Sequence, residues 1–190
     1  MSGSLEDRVL KILPKGNPLG YLNYILHYGG LRTYTGELFW TDVSEDLPAS
    51  AILEAQISEV LGLDYRIGTR FVGDEIEWSI EIGQRHSKAK NFDVWQGEDE
   101  GIPPCCIKSY VKRSKRSGRY WYQMLAGKSK EEIKEKHVHL AYANFYLCRI
   151  NCVSAEELLT TYMRYTQTNF PRIAKRIELG FLRELARKEI

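Results

Sequence analysis

A chain of 190 residues with 43% apolar and 27% charged side chains has the composition of a folded globular protein long enough to bury a core, which excludes wholesale disorder. It carries no apolar run near the roughly 18–20 residues of a membrane span, and the acid-bearing opening MSGSLEDRVL does not resemble a signal peptide, so a cytoplasmic protein with no membrane partner is expected. A net charge of +2 is too small to imply nucleic-acid binding by itself.

Leu5 to Leu13 predicts a short helix stopped by Pro14 and Gly16. In NPLGYLNYILHYGG, Asn17 is a helix cap, Pro18 the first helical residue and Gly29-Gly30 the stop, with Tyr21, Tyr24, Ile25 and Tyr28 on one face. LRTYTGELFW, around Gly36, reads as a small hairpin. Pro48 to Leu61 predicts an amphipathic helix with Ile52, Ala55 and Val60 on its apolar side and Gly62 at its end.

YRIGTRFV and EIEWSIEI flank Gly73-Asp74, a two-residue loop that favours a tight hairpin turn. In that register Val72 faces Glu75, Arg70 faces Glu77 and Arg66 faces Glu81. On the other face Phe71, Thr69, Ile67 and Tyr65 oppose Ile76, Trp78, Ile80 and Ile82. A slip of one residue breaks both the apolar face and the charge pairing, so the register is unique. Trp78 is expected in the core.

From Ser87 onward the chain reads as helical. Ser129 with Glu132 forms a capping box for a long helix containing His137 and His139, and Ser154 with Glu157 opens another that runs toward Arg187, interrupted at Pro171. The expected fold is α+β: a small antiparallel sheet containing the 65–82 hairpin, packed on a larger, mainly helical part. A single domain spans 1–190, with an N-terminal α+β part to about residue 86 and a helical, cysteine-containing part from about 87.

The stretch GIPPCCIK places Cys105 and Cys106 directly after two prolines. Pro103 or Pro104 suits the first turn of a helix, so both thiols fall near its N-terminus, where free N–H groups and the helix dipole favour thiolate. Cys106 lies on the apolar face with Ile107, Tyr110 and Val111, and Cys105 at its flank. The remaining cysteines, Cys148 and Cys152, share one face if their helix persists, in line with Ala141 and Phe145. Two thiol pairs on two inward helix faces can then meet. Four readings stay open: buried small hydrophobes, disulfides clamping the helices, a four-thiolate site for zinc or an iron–sulfur cluster, and a thiol-dependent enzyme with Cys105 as the nucleophile. With disulfides no cofactor is needed. Adjacent cysteines depart from the Cys-x-x-Cys spacing of common zinc sites.

Gly101-Ile102-Pro103-Pro104-Cys105-Cys106-Ile107, followed about forty residues later by Cys148-x-x-x-Cys152 and Ser154, resembles a mainly archaeal family with a Gly-aromatic-Pro-x-Cys-Cys-apolar motif and a downstream Cys-x-x-x-Cys. The likeness covers roughly the second half of the chain, with a weaker match at EIEW. Ile102 replaces the family's aromatic, and Leu147 stands where proline is common. The resemblance implies that the four cysteines act as one unit, and it carries no activity.

Asp93, Glu98, Asp99 and Glu100 precede the cysteines, and Lys108, Lys112, Arg113, Lys115, Arg116 and Arg119 follow, giving a local dipole and an anion-facing surface. With Tyr110, Tyr120, Trp121 and Tyr122 these cations form a candidate nucleic-acid contact, so a nucleic-acid-binding accessory role is the alternative to a cysteine centre. His137 and His139 point to different faces, one exposed and one at the core edge, and His27 reads as a packed histidine. P-loop, dinucleotide-binding and serine-hydrolase motifs are absent.

Overall fold

The computed structural model describes residues 3–12, 22–42, 48–84, 86–113, 125 and 127–187. They form α1 (Leu5–Ile12), α2 (Leu22–Tyr28), β1 (Tyr34–Asp42), α3 (Ala49–Leu61), β2 (Tyr65–Val72) and β3 (Glu75–Gly83). There follow α4 (Phe92–Asp99), α5 (Pro104–Arg113), α6 (Lys130–Lys136), a 3₁₀ segment (Val138–Tyr142), α7 (Val153–Asn169) and α8 (Pro171–Arg187). The fold is α+β, with one three-stranded antiparallel sheet beside a mainly helical body. The Asn17-Pro18 cap, Pro14 and Gly16 lie outside the described residues.

The hairpin has the register read from its charges and apolar residues: Arg70 opposes Glu77, Arg66 opposes Glu81, and Thr69 opposes Trp78. Arg70 pairs with Glu77 at 2.9 Å and Arg66 with Glu81 at 3.5 Å. The expected hairpin around Gly36 is instead one strand. β1 runs antiparallel along the whole of β3, from Tyr34 opposite Gly83 to Asp42 opposite Glu75, giving the order β1-β3-β2. A continuous strand pairs the second edge of β3, which a hairpin turning at Gly36 would leave open.

Burial of the hairpin's apolar face is graded along its length. At the base, Ile80 and Ile82 are buried, Ile80 against Ala51 and Ala55 of α3. Toward the turn Ile67 is 44% and Phe71 72% exposed, and Trp78 is only half-buried. Trp78 is therefore not the core residue it was expected to be, because the packing against α3 involves only the base. That helix turns a different face inward than Ile52 suggested. Ala51, Ala55 and Ser58 are buried at i, i+4 and i+7, small side chains that let the sheet approach, while Ile52 is exposed. As expected, α3 stops at Gly62: the Gly62 N–H donates to the Glu59 carbonyl and the Leu63 N–H to that of Ser58.

The second half is less helical than its sequence suggested. Residues 86–91 form an irregular approach to α4, tied by Asp99, whose Oδ1 accepts from the His86 and Ser87 amides at 2.9 and 2.6 Å. Ser129 caps α6 by accepting the Glu132 N–H, but Glu132 pairs with Lys128 rather than completing the box. The helix then ends at Lys136 instead of continuing through His137 and His139. Both histidines are buried, not one exposed. From Ala143 to Cys148 the chain is irregular, with bends at Phe145 and Cys148; Ala143, Phe145 and Leu147 are buried and Asn144, Tyr146 and Cys148 half-buried. The next helix starts at Val153, so Ser154 lies inside its first turn and Cys152 takes the cap position. Pro171 does break the helix, and it opens α8 as the first residue.

Apart from the small Ala51, Ala55 and Ile80 cluster under the sheet, the larger core cluster draws on both ends of the chain, including Val9, Leu22, Ile25, Leu159, Ile173 and Ile177. A polar joint fixes α1 on α8. Ser4 and Asp7 cap α1 reciprocally, and Glu6, in its first turn, reaches the start of α8. Glu6 Oε1 accepts the Arg172 and Ile173 amides at 2.6 and 3.0 Å, and Oε2 pairs with the Arg172 guanidinium at 2.9 Å. A side chain far away in sequence thus supplies the N-terminal cap that Pro171 and Phe170 cannot.

Three outcomes follow for stability. Replacing Glu6 by alanine leaves the buried Ile173 amide and the part-buried Arg172 amide without this acceptor and should cost about 1–3 kcal/mol in denaturant melts, with Glu6→Gln costing less. Ile80→Ala should cost about 2–5 kcal/mol as a core truncation, whereas Phe71→Ala should stay within about 0.5 kcal/mol. The hydrogen bond from Arg172, followed by those from Ser4, holds the Asp7 carboxyl down at about 2, against an ordinary value of 3.8. A depressed carboxyl stabilises the fold fully above its unfolded value and loses that contribution as pH falls through the folded one. The stability difference between the parent and Asp7→Asn should therefore be constant above about pH 5 and fall progressively, to nothing below about pH 2.

Candidate metal centre

The GIPPCC stretch is a helix-to-helix turn. Gly101 adopts φ +73°, a left-handed conformation that ends α4 by letting the Gly101 amide reach the Glu98 carbonyl and the Ile102 amide that of Gly97. Pro104 then opens α5 without needing a backbone donor. Cys105 and Cys106 become the second and third helical residues, as expected, Cys105 exposed and Cys106 wholly buried. The two helices close tightly here: a side chain at Gly97 would come within 2.8 Å of Ile107.

The other two sulfurs do not arrive on a helix face. Cys148 lies at the end of the irregular segment, and Cys152 follows after a turn at the start of α7. The helix expected through both is absent: residues 143–148 are irregular, and Asn144 is bonded to Arg32. The predicted meeting of the two pairs nevertheless holds. All four sulfurs lie within 4.8 Å of one another, with Cys105 to Cys152 at 3.5 Å and Cys106 to Cys152 at 4.0 Å. Neither contact is near the roughly 2.05 Å of a disulfide, and none of the four cysteines is disulfide-bonded.

The surroundings treat the sulfurs unequally. Burial pushes the Cys106 thiol well above its ordinary range, opposed by the Cys148 backbone amide. Cys148 is raised as well, again chiefly by burial. For Cys152 burial also works upward, but it is outweighed by the Ala155 amide and by the thiols of Cys148, Cys105 and Cys106, so this thiol is lowered. The group is arranged around one sulfur that favours the anion and neighbours that donate to it. The N-termini of α5 and α7 both converge there, and their free amides and dipoles stabilise negative charge on sulfur.

What positions the two segments lies beside the sulfurs. Arg32, whose side chain is fully buried, donates to Glu100 at 3.1 Å and to Asn144 Oδ1 at 2.7 Å, and its guanidinium carbon stands 5.5 Å from the Tyr162 ring centre. Asn144 in turn bonds Asn23, and Gln96 donates to Glu100. Glu100 precedes Cys105 by one turn of chain, and Asn144 precedes Cys148 by another. Sequence reading missed this network, since its members are 68 and 112 residues apart and no local pattern links them. Asp99 and Glu100 were counted in an acidic surface stretch but are buried and bonded.

Of the cations assigned to a nucleic-acid contact, Lys108 and Lys112 are exposed one turn apart on α5. The side chain of Arg113 and the residues Lys115, Arg116, Arg119 and Tyr120 lie outside what the structure describes, as do Trp121 and Tyr122. Tyr110 is half-buried and stacked on Tyr146 at 4.9 Å. Burial lowers His137, His139 and His27 below their ordinary values, in keeping with packed, neutral imidazoles.

Removing Arg32 strands Glu100, so Arg32→Ala should destabilise by about 3–5 kcal/mol. Adding Glu100→Gln to that variant should cost less than the sum of the two single changes in the same melt. No protein-family model matches the chain, and no curated protein or solved structure does either, so the functional reading is carried by the four sulfurs.

Proposed function

We propose that the protein binds a single zinc ion through Cys105, Cys106, Cys148 and Cys152, and that this closed centre fastens the start of α5 to the start of α7. The mutual closeness of the four sulfurs carries the reading. A tetrahedral ion with zinc–sulfur bonds of roughly 2.3 Å sets its ligands roughly 3.8 Å apart, and the contacts of 3.5 and 4.0 Å bracket that edge. In a polynuclear iron–sulfur cluster the thiolates bind different irons across bridging sulfides and need a wider spacing. Packing of small hydrophobes does not call for four sulfurs on one point.

The electrostatics agree with a loaded centre. Four thiolates on one divalent ion leave a net charge of −2, which two helix N-termini and the amides of Cys148 and Ala155 offset. With every ligand position taken by protein, the ion has no place for a substrate, so its role is to fold and hold. Binding displaces thiol protons, so affinity should fall as the solution is acidified.

Metal analysis and thiol counting on anaerobically purified protein test the reading. The expected result is one zinc per chain and thiols that become titratable only after chelation, with a fall in melting temperature. Cobalt should substitute and give the absorption of a tetrahedral thiolate site. Four reactive thiols without metal, two disulfides, or stoichiometric iron would each overturn it. Among single Cys→Ser variants, Cys105→Ser should retain the most metal, because its loss opens a position to water, whereas the hydroxyl at 106 or 152 is buried. After chelation, Cys105 should be alkylated first.

A further inference from the structure

Beside the sulfurs, α4, α5 and the irregular segment 143–148 line a half-open pocket of about 230 Å³. Cys106 contributes to its wall, but the rest is built from residues outside the cysteine centre. Ile102, Ile107 and Phe145 form an apolar lining, extended by Tyr110 lying nearly parallel on Tyr146 at 23°. The polar part of the lining comes from Gln96, Glu100 and Asn144. Apolar walls with a few converging polar groups are the makeup of a small-molecule site. The volume is below the roughly 300–1,000 Å³ of drug-sized pockets, which limits the occupant to about one ring.

The polar groups select among ligands. Asn144 is used in both directions, its oxygen by Arg32 and its amide by Asn23. Glu100 accepts one bond on each oxygen, from Arg32 at 3.1 Å and from Gln96 at 3.0 Å. A carboxylate oxygen has room for two, so each keeps one acceptor position. The sulfur of Cys106 is a weak acceptor as well. A buried ion pair such as Arg32–Glu100 contributes little net stability against its desolvation, yet this fold places one in the wall of a cavity. Among the described residues, each Glu100 oxygen therefore has room for one further donor, which a ligand in the cavity can supply.

We propose that this cavity binds a small planar N–H donor, a single-ring carboxamide or amidine, with its nitrogen on Glu100 and its ring against Ile102, Ile107 and Tyr110. An acceptor-only anion of the same shape is rejected, since it would face Glu100 with like charge and no proton to give. The site is carried by residues other than the proposed zinc ligands, Cys106 apart, and does not depend on which ion they hold.

Titration of the purified protein with benzamidine, benzamide and benzoate, followed by NMR at the methyl groups of Ile102 and Ile107, tests this. Benzamidine and benzamide should shift those methyls saturably, at least tenfold more tightly than benzoate. Glu100→Gln, which replaces one acceptor by a donor, should weaken benzamidine at least tenfold. Because that change also disturbs Arg32, Ile102→Trp serves as the second variant: it fills the cavity from its half-buried margin and should abolish the shifts while the melting curve stays cooperative. Benzoate binding as tightly as the two donors, no saturable shift with any of the three, or benzamidine binding unchanged in a folded Ile102→Trp protein would each overturn the proposal.

Discussion

The guanidinium of Arg32 is the joint on which the arrangement of this protein turns. It sits in the turn between α2 and β1, and its two terminal nitrogens go to Glu100 and Asn144, which approach from opposite halves of the cysteine-bearing sequence. A planar fork can hold two acceptors at fixed angles, which an ammonium cannot. Glu100 sets where α4 ends and thus where the Gly101 turn delivers Cys105 and Cys106. Asn144, bonded to Arg32 and Asn23, anchors the irregular segment that delivers Cys148. Tyr162 beneath the fork belongs to α7, whose first residue follows Cys152. One buried cation therefore organises all three approaches to the sulfurs without touching any of them. Its desolvation is expensive, and the specific geometry it imposes is what it contributes in return.

The sulfurs add a second constraint of a different kind. Two helices that point their positive ends at one place need negative charge there, and four thiols supply it only by losing protons. Burial resists that loss at Cys106 and Cys148, while the Ala155 amide and neighbouring thiols favour it at Cys152. Under the proposed zinc reading a divalent ion relieves that tension, because ligation drives deprotonation while cancelling half of the resulting charge. The same few residues would then serve as helix caps, core packing and ligands.

Polar joints recur wherever distant parts of the chain meet. Glu6 caps α8, Asp99 ties residues 86 and 87 to α4, and Tyr142 donates to Glu178 between the 3₁₀ segment and α8. Apolar burial brings these elements together but has little directional preference. Hydrogen bonds with unsatisfied alternatives are what choose one register among many similar packings. The sheet is held differently: its base is packed on α3, while its tip projects with Phe71 in water, and there the cross-strand ion pairs mark the register.

Features with local causes could be read from the residue order alone. The hairpin register followed from alternation and charge around Gly73-Asp74, and the break at Pro171 followed from proline's missing donor. The same holds for the end of α3 at Gly62 and the placement of Cys105 and Cys106 in the first turn of α5. Even the meeting of the two cysteine pairs was visible in their clustering. Tertiary structure decided the rest. Residues 143–148 are irregular rather than helical, and there Asn144 is bonded to Arg32 and Asn23. β1 is one strand because β3 needed a partner along its second edge, and Trp78 is half-buried because the packing on α3 involves only the sheet's base. Each of these depends on a group many residues away, and short-range periodicity carries no information about such partners.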